Sequence, residues 1–130
     1  MRARSALVAA LLVAASASAA LAAPPAYIRT IGGQGSAPGF FFLPMGVAID
    51  AAGDVYVSDY ENCRVTRFHA EGTYVTHWNA CGAVQGRARG IAVDANGTVF
   101  VALRHGILAM FDADGTPLGQ LGGDAMWHRW

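Results

Sequence analysis

The sequence predicts an all-β fold in which four short antiparallel strands recur as a unit, and three observations carry that prediction. The stretch GVAIDAAGDVYVSD (residues 46–59) returns as GIAVDANGTVFVAL (residues 90–103). Turn signals rich in Gly, Asn and Asp punctuate the apolar runs. No long stretch of helical periodicity follows the N-terminal segment.

The repeat comes first. With Gly46 on Gly90, Asp50 falls on Asp94, Gly53 on Gly97, Val55 on Val99, Tyr56 on Phe100 and Val57 on Val101. One residue is then lost, and Phe68 matches Phe111 as Gly72 matches Gly115. A period of roughly 40–45 residues is that of a four-stranded propeller blade. The first repeat should hold strands at 46–50, 54–58, 64–68 and 73–78. The second should hold them at 90–94, 98–103, 107–111 and 117–121. Hairpin turns are expected at 51–54, 70–72, 95–97 and 112–115, where Gly supplies a positive φ and Asn or Asp tolerates it. Val, Ile, Phe and Tyr fill the strands. GVAI, GIAV and ILAMF are apolar at consecutive positions, the pattern of strands buried on both faces. A blade between two other blades fits that pattern, whereas a two-sheet sandwich alternates more cleanly.

The N-terminus has a different logic. Arg2 and Arg4 precede the apolar run ALVAALLVAA, and SASAALAA follows with small residues. That is the layout of a secretory signal peptide, with Ala20-Leu21-Ala22 or Ala17-Ser18-Ala19 as the cleavage site. A membrane anchor is the alternative, but the run is short of the about 20 apolar residues a spanning helix needs. The expected organisation is a signal peptide at 1–22, an outer strand and loop at 23–45, blades at 46–89 and 90–123, and a tail at 124–130. Beyond the signal, nine carboxylates face seven arginines, and the chain has no lysine. Such a surface excludes a broad nucleic-acid footprint and anionic membrane binding.

The chemistry-bearing residues read mostly as structural. Asp50 and Asp94 end their strands, where Asp accepts backbone hydrogen bonds in the next turn; lining a channel mouth and binding a metal is the sharper alternative. Asp59, Asn62 and Arg64 read as a charge-assisted group tying the second strand to the third. His69, His77, His105 and His128 share no ligand spacing. IGGQGSAPG precedes no helix and reads as an inter-blade loop, and Phe40-Phe41-Phe42 as packing around it. Arg87 and Arg89 read as a solvated pair.

LPMGVAIDAAGDVYVSDYENCRVTRFHAEGTYV closely resembles the NHL repeat. The residues that carry the resemblance are Pro44, Gly46, Asp50, Gly53, Val55, Tyr56, Val57, Asp59, Asn62, Arg64, Val65, Phe68 and Gly72. The second repeat keeps Gly90, Asp94, Gly97, Val99, Phe100, Val101, Phe111 and Gly115. It departs at Leu103 and Gly106, where Asp59 and Asn62 would fall, and it lacks the proline. The resemblance implies a β-propeller, which closes with 4–8 blades. Here two blades are expected, plus one extra N-terminal strand, because YIRTIGG (27–33) is similar to PLGQLGG (117–123).

Three functions compete at this level. One is a secreted, extracellular or periplasmic scaffold that binds a protein or glycan surface without catalysis or cofactor. Another is the remnant of a lyase or lactonase, which the family resemblance would furnish with a channel Ca or Zn ion. The third is a piece of a longer propeller with no function of its own. Two blades leave two apolar faces bare, and copies associating head to tail would complete a ring.

Cys63 and Cys81 are the only cysteines. Behind a signal peptide they are expected to pair. Partners across a hairpin turning at Glu71-Gly72 have position numbers of constant sum, and 63 with 81 lies at that sum within one residue. They therefore face each other at the hairpin's open end, and closing the loop is worth about 3 kcal/mol.

Overall fold

The computed structural model describes residues 23–82 and 87–123. The expected signal peptide and C-terminal tail, with His128, lie outside the described residues. Two four-stranded antiparallel sheets follow one another along the chain. The first holds β1 (Pro44–Ile49), β2 (Val55–Asp59), β3 (Arg64–Phe68) and β4 (Tyr74–Asn79) in sequence order. The second repeats the meander with β5 (Ala88–Val93), β6 (Val99–Leu103), β7 (Ile107–Phe111) and β8 (Pro117–Gly122). Among the described residues no helix is long and apolar enough to cross a membrane.

The repeat in the sequence is a repeat in register. Val57 faces Val47 and Thr66 in the first sheet, and Val101 faces Ile91 and Ala109 in the second. Bulges interrupt β1 between Pro44 and Gly46, and β5 between Ala88 and Ile91. An extra residue at a bulge lets a strand extend past its regular register. Both first strands consequently start two residues before the expected 46 and 90.

One core lies between the sheets. Tyr56, Val65 and Trp78 meet Val99, Val101 and Phe111, all buried. The Trp78 ring lies 5.9 Å from that of Phe111 and 6.4 Å from that of Tyr56. Two glycines permit this approach. A Cβ on Gly46 would stand 2.9 Å from the Arg89 carbonyl oxygen and 3.2 Å from Ile91 Cγ2. One on Gly115, whose φ is +91°, would stand 2.5 Å from the Trp78 ring. Arg67 bolts the sheets together at their turn end. It pairs with Asp54 at 2.6 Å and crosses to the Ala113 carbonyl at 3.1 Å and Asp114 at 3.3 Å.

Two expectations change. The extra N-terminal strand is not formed: residues 23–33 carry no ladder, and only Gln34 bridges to Phe41. A strand exists only against a partner, and the described residues offer this segment none. It still docks where such a strand would stand. Ile31 lies over Gly72 as Trp78 lies over Gly115, and the Arg29 guanidinium donates to the Glu71 carbonyl. Burial on both faces, expected of GVAI, GIAV and ILAMF, belongs instead to β2 and β3. β7 alternates between buried and half-buried, and Val47 and Ile49 of β1 are 63% and 64% exposed. The first sheet lies between the N-terminal segment and the second sheet, whereas among the described residues the second is covered by a sheet on one face only.

Candidate functional site at the loop end

The two ends of the sheets do different work. At the hairpin-turn end each aspartate holds its own turn. Asp50 Oδ1 accepts from the amides of Ala52 (3.0 Å) and Asp54 (2.9 Å). Asp94 Oδ1 does the same for Asn96 (2.9 Å) and Thr98 (2.8 Å), and Asp112 Oδ1 for Asp114 (2.9 Å) and Thr116 (2.8 Å). These are Asx turns, with Gly53, Gly97 and Gly115 supplying the positive φ that closes them. The Asp112 carboxyl is held below its ordinary range chiefly by the Thr116 amide. Asp50 also accepts from the Tyr56 hydroxyl at 3.0 Å.

At the opposite end, Asp59, Asn62 and Arg64 come together but do more than join β2 to β3. They clamp the loop that precedes β1. Asp59, fully buried, accepts the Phe42 amide through both oxygens at 3.0 and 3.1 Å. Asn62 Nδ2 donates to Asp59 at 2.6 Å and to the Gly35 carbonyl at 3.0 Å. Arg64 donates to the carbonyls of Ser36 (2.8 Å), Ala37 (3.0 Å) and Phe40. Its Nε stands 3.7 Å from Asp59. A buried charge persists only when paired and hydrogen-bonded, and here backbone carbonyls supply most of the partners.

The second sheet has no such clamp. Leu103 and Ile107 occupy the places of Asp59 and Arg64, and both are buried in one cluster with Ala80 and Cys81 of the connecting loop and Ala88 at the start of β5. That loop is fixed covalently instead. Cys63 and Cys81 are joined by a disulfide with Cα atoms 5.8 Å apart. The β3–β4 ladder pairs Arg64 with Asn79, and the Ala80 amide donates to the Cys63 carbonyl at 3.0 Å. The bond therefore joins Cys63 to the residue one beyond its backbone partner.

The residues exposed at this end include aromatic, apolar and cationic ones. Phe42, Leu43 and Met45 are 44%, 56% and 57% exposed. Arg87 and Arg89 lie over the Tyr60 ring, 5.2 and 5.8 Å from its centroid, and Arg87 pairs with Glu61. Sequence reasoning took the arginines as solvated and missed Tyr60, because nothing periodic links a hairpin loop to a connecting loop. Of the Phe triplet only Phe41 packs inward, 5.8 Å from Phe68. Leu43, Cys63 and His105 hold left-handed backbone at φ 64°, 49° and 69°, all at this end; such strain concentrates where function is carried. A cavity of about 420 Å³ runs beside the loop along residues 30–34 and 41–44. Among the described residues no group of three or more His, Cys, Asp or Glu could hold a metal ion.

The span that builds β1 to β3 and the clamp matches a known family description. Residues 43–68 match the model of the NHL repeat. Solved structures share the architecture of the two sheets. The calcium-binding protein regucalcin from Agrobacterium tumefaciens is 18% identical with a TM-score of 0.50, over 62% of this chain and 30% of that one. A luciferin-regenerating enzyme is 16% identical with a TM-score of 0.54, over 65% and 31%. A gluconolactonase from Xanthomonas campestris is 26% identical with a TM-score of 0.50, over 62% and 28%. These relatives are propellers, so the two sheets are propeller blades, and the matched part spans under a third of each relative's length. No curated protein sequence matches the chain significantly. The NHL match ends at Phe68, and the second blade lacks the polar clamp that the first has.

Proposed function

We propose that this NHL-repeat chain is an exported, non-catalytic binding scaffold that receives a protein or glycan surface at its loop end. One observation carries the reading: the motif's polar groups are engaged in holding backbone, while Phe42, Leu43 and Met45 stand exposed beside Tyr60 and its two arginines. Aromatic residues, Met and Arg are the side chains enriched at recognition surfaces. The disulfide supports an oxidising destination. Purified, disulfide-bonded chain is tested on arrays of glycans and of exported proteins. Saturable binding is expected, weakened at least tenfold by Phe42→Ser or Tyr60→Ala with the melting temperature unchanged. Binding indifferent to both substitutions defeats the reading. Residues 1–22 fused to a reporter active only after export test the destination.

The likeness to the gluconolactonase favours a second reading, in which the chain is a piece of a larger metal-dependent lactonase or lyase. Its signature is stoichiometric Ca or Zn in purified protein together with lactone hydrolysis, and the scaffold reading predicts neither.

A further inference from the structure

Among the described residues the second blade has a bare face, whose positions correspond one to one with those of a face the first blade keeps covered. Alternation along the ladders puts Gly90, Ala92, Phe100, Leu108, Met110 and Leu121 on that face. Their counterparts in the first blade are Gly46, Ala48, Tyr56, Val65, Arg67 and Trp78, the surface on which the second blade sits. Phe100, Leu108 and Met110 are half-buried and Leu121 is 56% exposed, so the interface inside the chain continues outward as an unfilled one. Gly90 is the telling residue. A Cβ on Gly46 would collide with β5, which explains that glycine. A Cβ on Gly90 would meet only Ala102 Cβ, at 3.7 Å, and its φ needs no glycine. Nothing among the described residues explains Gly90; a further β-strand lying where β5 lies on Gly46 would.

We propose that the occupant is the first blade of a second copy, and that three copies close head to tail into one six-bladed ring. The complementary face is present in the same chain: Val47, Val55, Val57 and Phe68 of the first blade correspond to Ile91, Val99, Val101 and Phe111, which already receive a blade. Two blades match 28–31% of each related propeller, so three such pairs make up a ring of that size. A heterologous interface forms a ring when its rotation closes. In the single copy the segment around Ile31 occupies part of the receiving face, above Gly72, where an incoming Leu121 would rest. Tyr27 and Ile28, 79% and 82% exposed, show how little holds that segment down. Association displaces it.

Sedimentation equilibrium on the disulfide-bonded chain tests the ring. The expected mass at micromolar concentration is three times that of one copy. Gly90→Val has room within the copy, so it should fold with an unchanged circular dichroism spectrum yet need at least tenfold more protein to associate. Ile31→Ser, which loosens the segment, should shift the association midpoint several-fold to lower concentration. A monomer throughout the micromolar range in wild type and Ile31→Ser alike overturns the proposal. So does a dimer, an open-ended polymer, or a trimer that neither substitution affects.

Discussion

Asp54 is the residue on which the turn end depends. Its carboxylate accepts from Arg67 at 2.6 Å and contacts His69 Nδ1 at 3.2 Å, and the Arg67 guanidinium rests over the Tyr56 ring. The Arg67 hydrogen bonds, foremost, hold the Asp54 pKa below its ordinary 3.8, against the opposing effect of burial. Beneath that value the unfolded chain binds a proton that the folded chain still refuses, so stability falls as pH falls through the folded value. Between about pH 5 and about pH 3 the wild type should lose more melting temperature than Asp54→Asn, which starts lower but lacks this carboxyl. Tyr56 works at the other limit. Burial first, then its hydrogen bond to Asp50, pushes its pKa up to about 12. Above the ordinary value of about 10, the unfolded phenol ionises while the folded one does not, so stability declines as pH rises. Tyrosinate absorbance should show an ionisation near pH 12, and Tyr56→Phe should remove that step. Asp50 and Asp94 stand out in the sequence because they recur at one place in the repeat, and Asp59, Asn62 and Arg64 because they fall on positions that carry the NHL resemblance. Their long-range partners do not, because Phe42, Gly35 and Ser36 contribute backbone groups, which carry no side-chain signature.

The connecting loops show one task solved twice. The loop before β1 is held by buried polar side chains reaching its backbone, and the loop after β4 by a covalent bond. The bond is legible because a hairpin's register is local: once the turn is placed, facing positions follow. The missing outer strand is not legible in that way. YIRTIGG has the composition of a strand, but strand formation is decided by a partner elsewhere in space. If the disulfide stands in for the clamp, its loss should be felt on one side. Cys63→Ser with Cys81→Ser should cost about 3 kcal/mol for a closed loop of this size, read as a shift in the denaturation midpoint. Hydrogen exchange should quicken at Ala80, whose amide bonds to the Cys63 carbonyl, while the Phe42 amide on Asp59 stays protected. Equal loss at both amides would mean that the bond stabilises the chain globally and is not a clamp on the loop.

At the scale of the whole molecule, ILAMF and GIAV carry the composition of strands enclosed on both faces, yet among the described residues one face of each is left without a sheet. How many faces are covered depends on the number of sheets in the stack, a quantity no single strand encodes. What the two blades do share is one core, and Trp78 is its centre. It touches Tyr56 within its own blade, packs on Phe111 of the next, and closes over Gly115. Each blade buries its apolar side chains chiefly against the other, as stacked repeats do, so neither should retain structure once the contact is lost. Trp78→Ala should therefore cost about 3–5 kcal/mol, a large part of ordinary domain stability. The loss should not be confined to the blade that carries the substitution. Native-state hydrogen exchange should show β2 and β3 of the first blade and β6 and β7 of the second losing protection in one transition, in wild type and variant alike. Separate transitions, with β6 and β7 opening at a lower free energy than β2 and β3, would show instead that the first blade folds alone and the second merely leans on it.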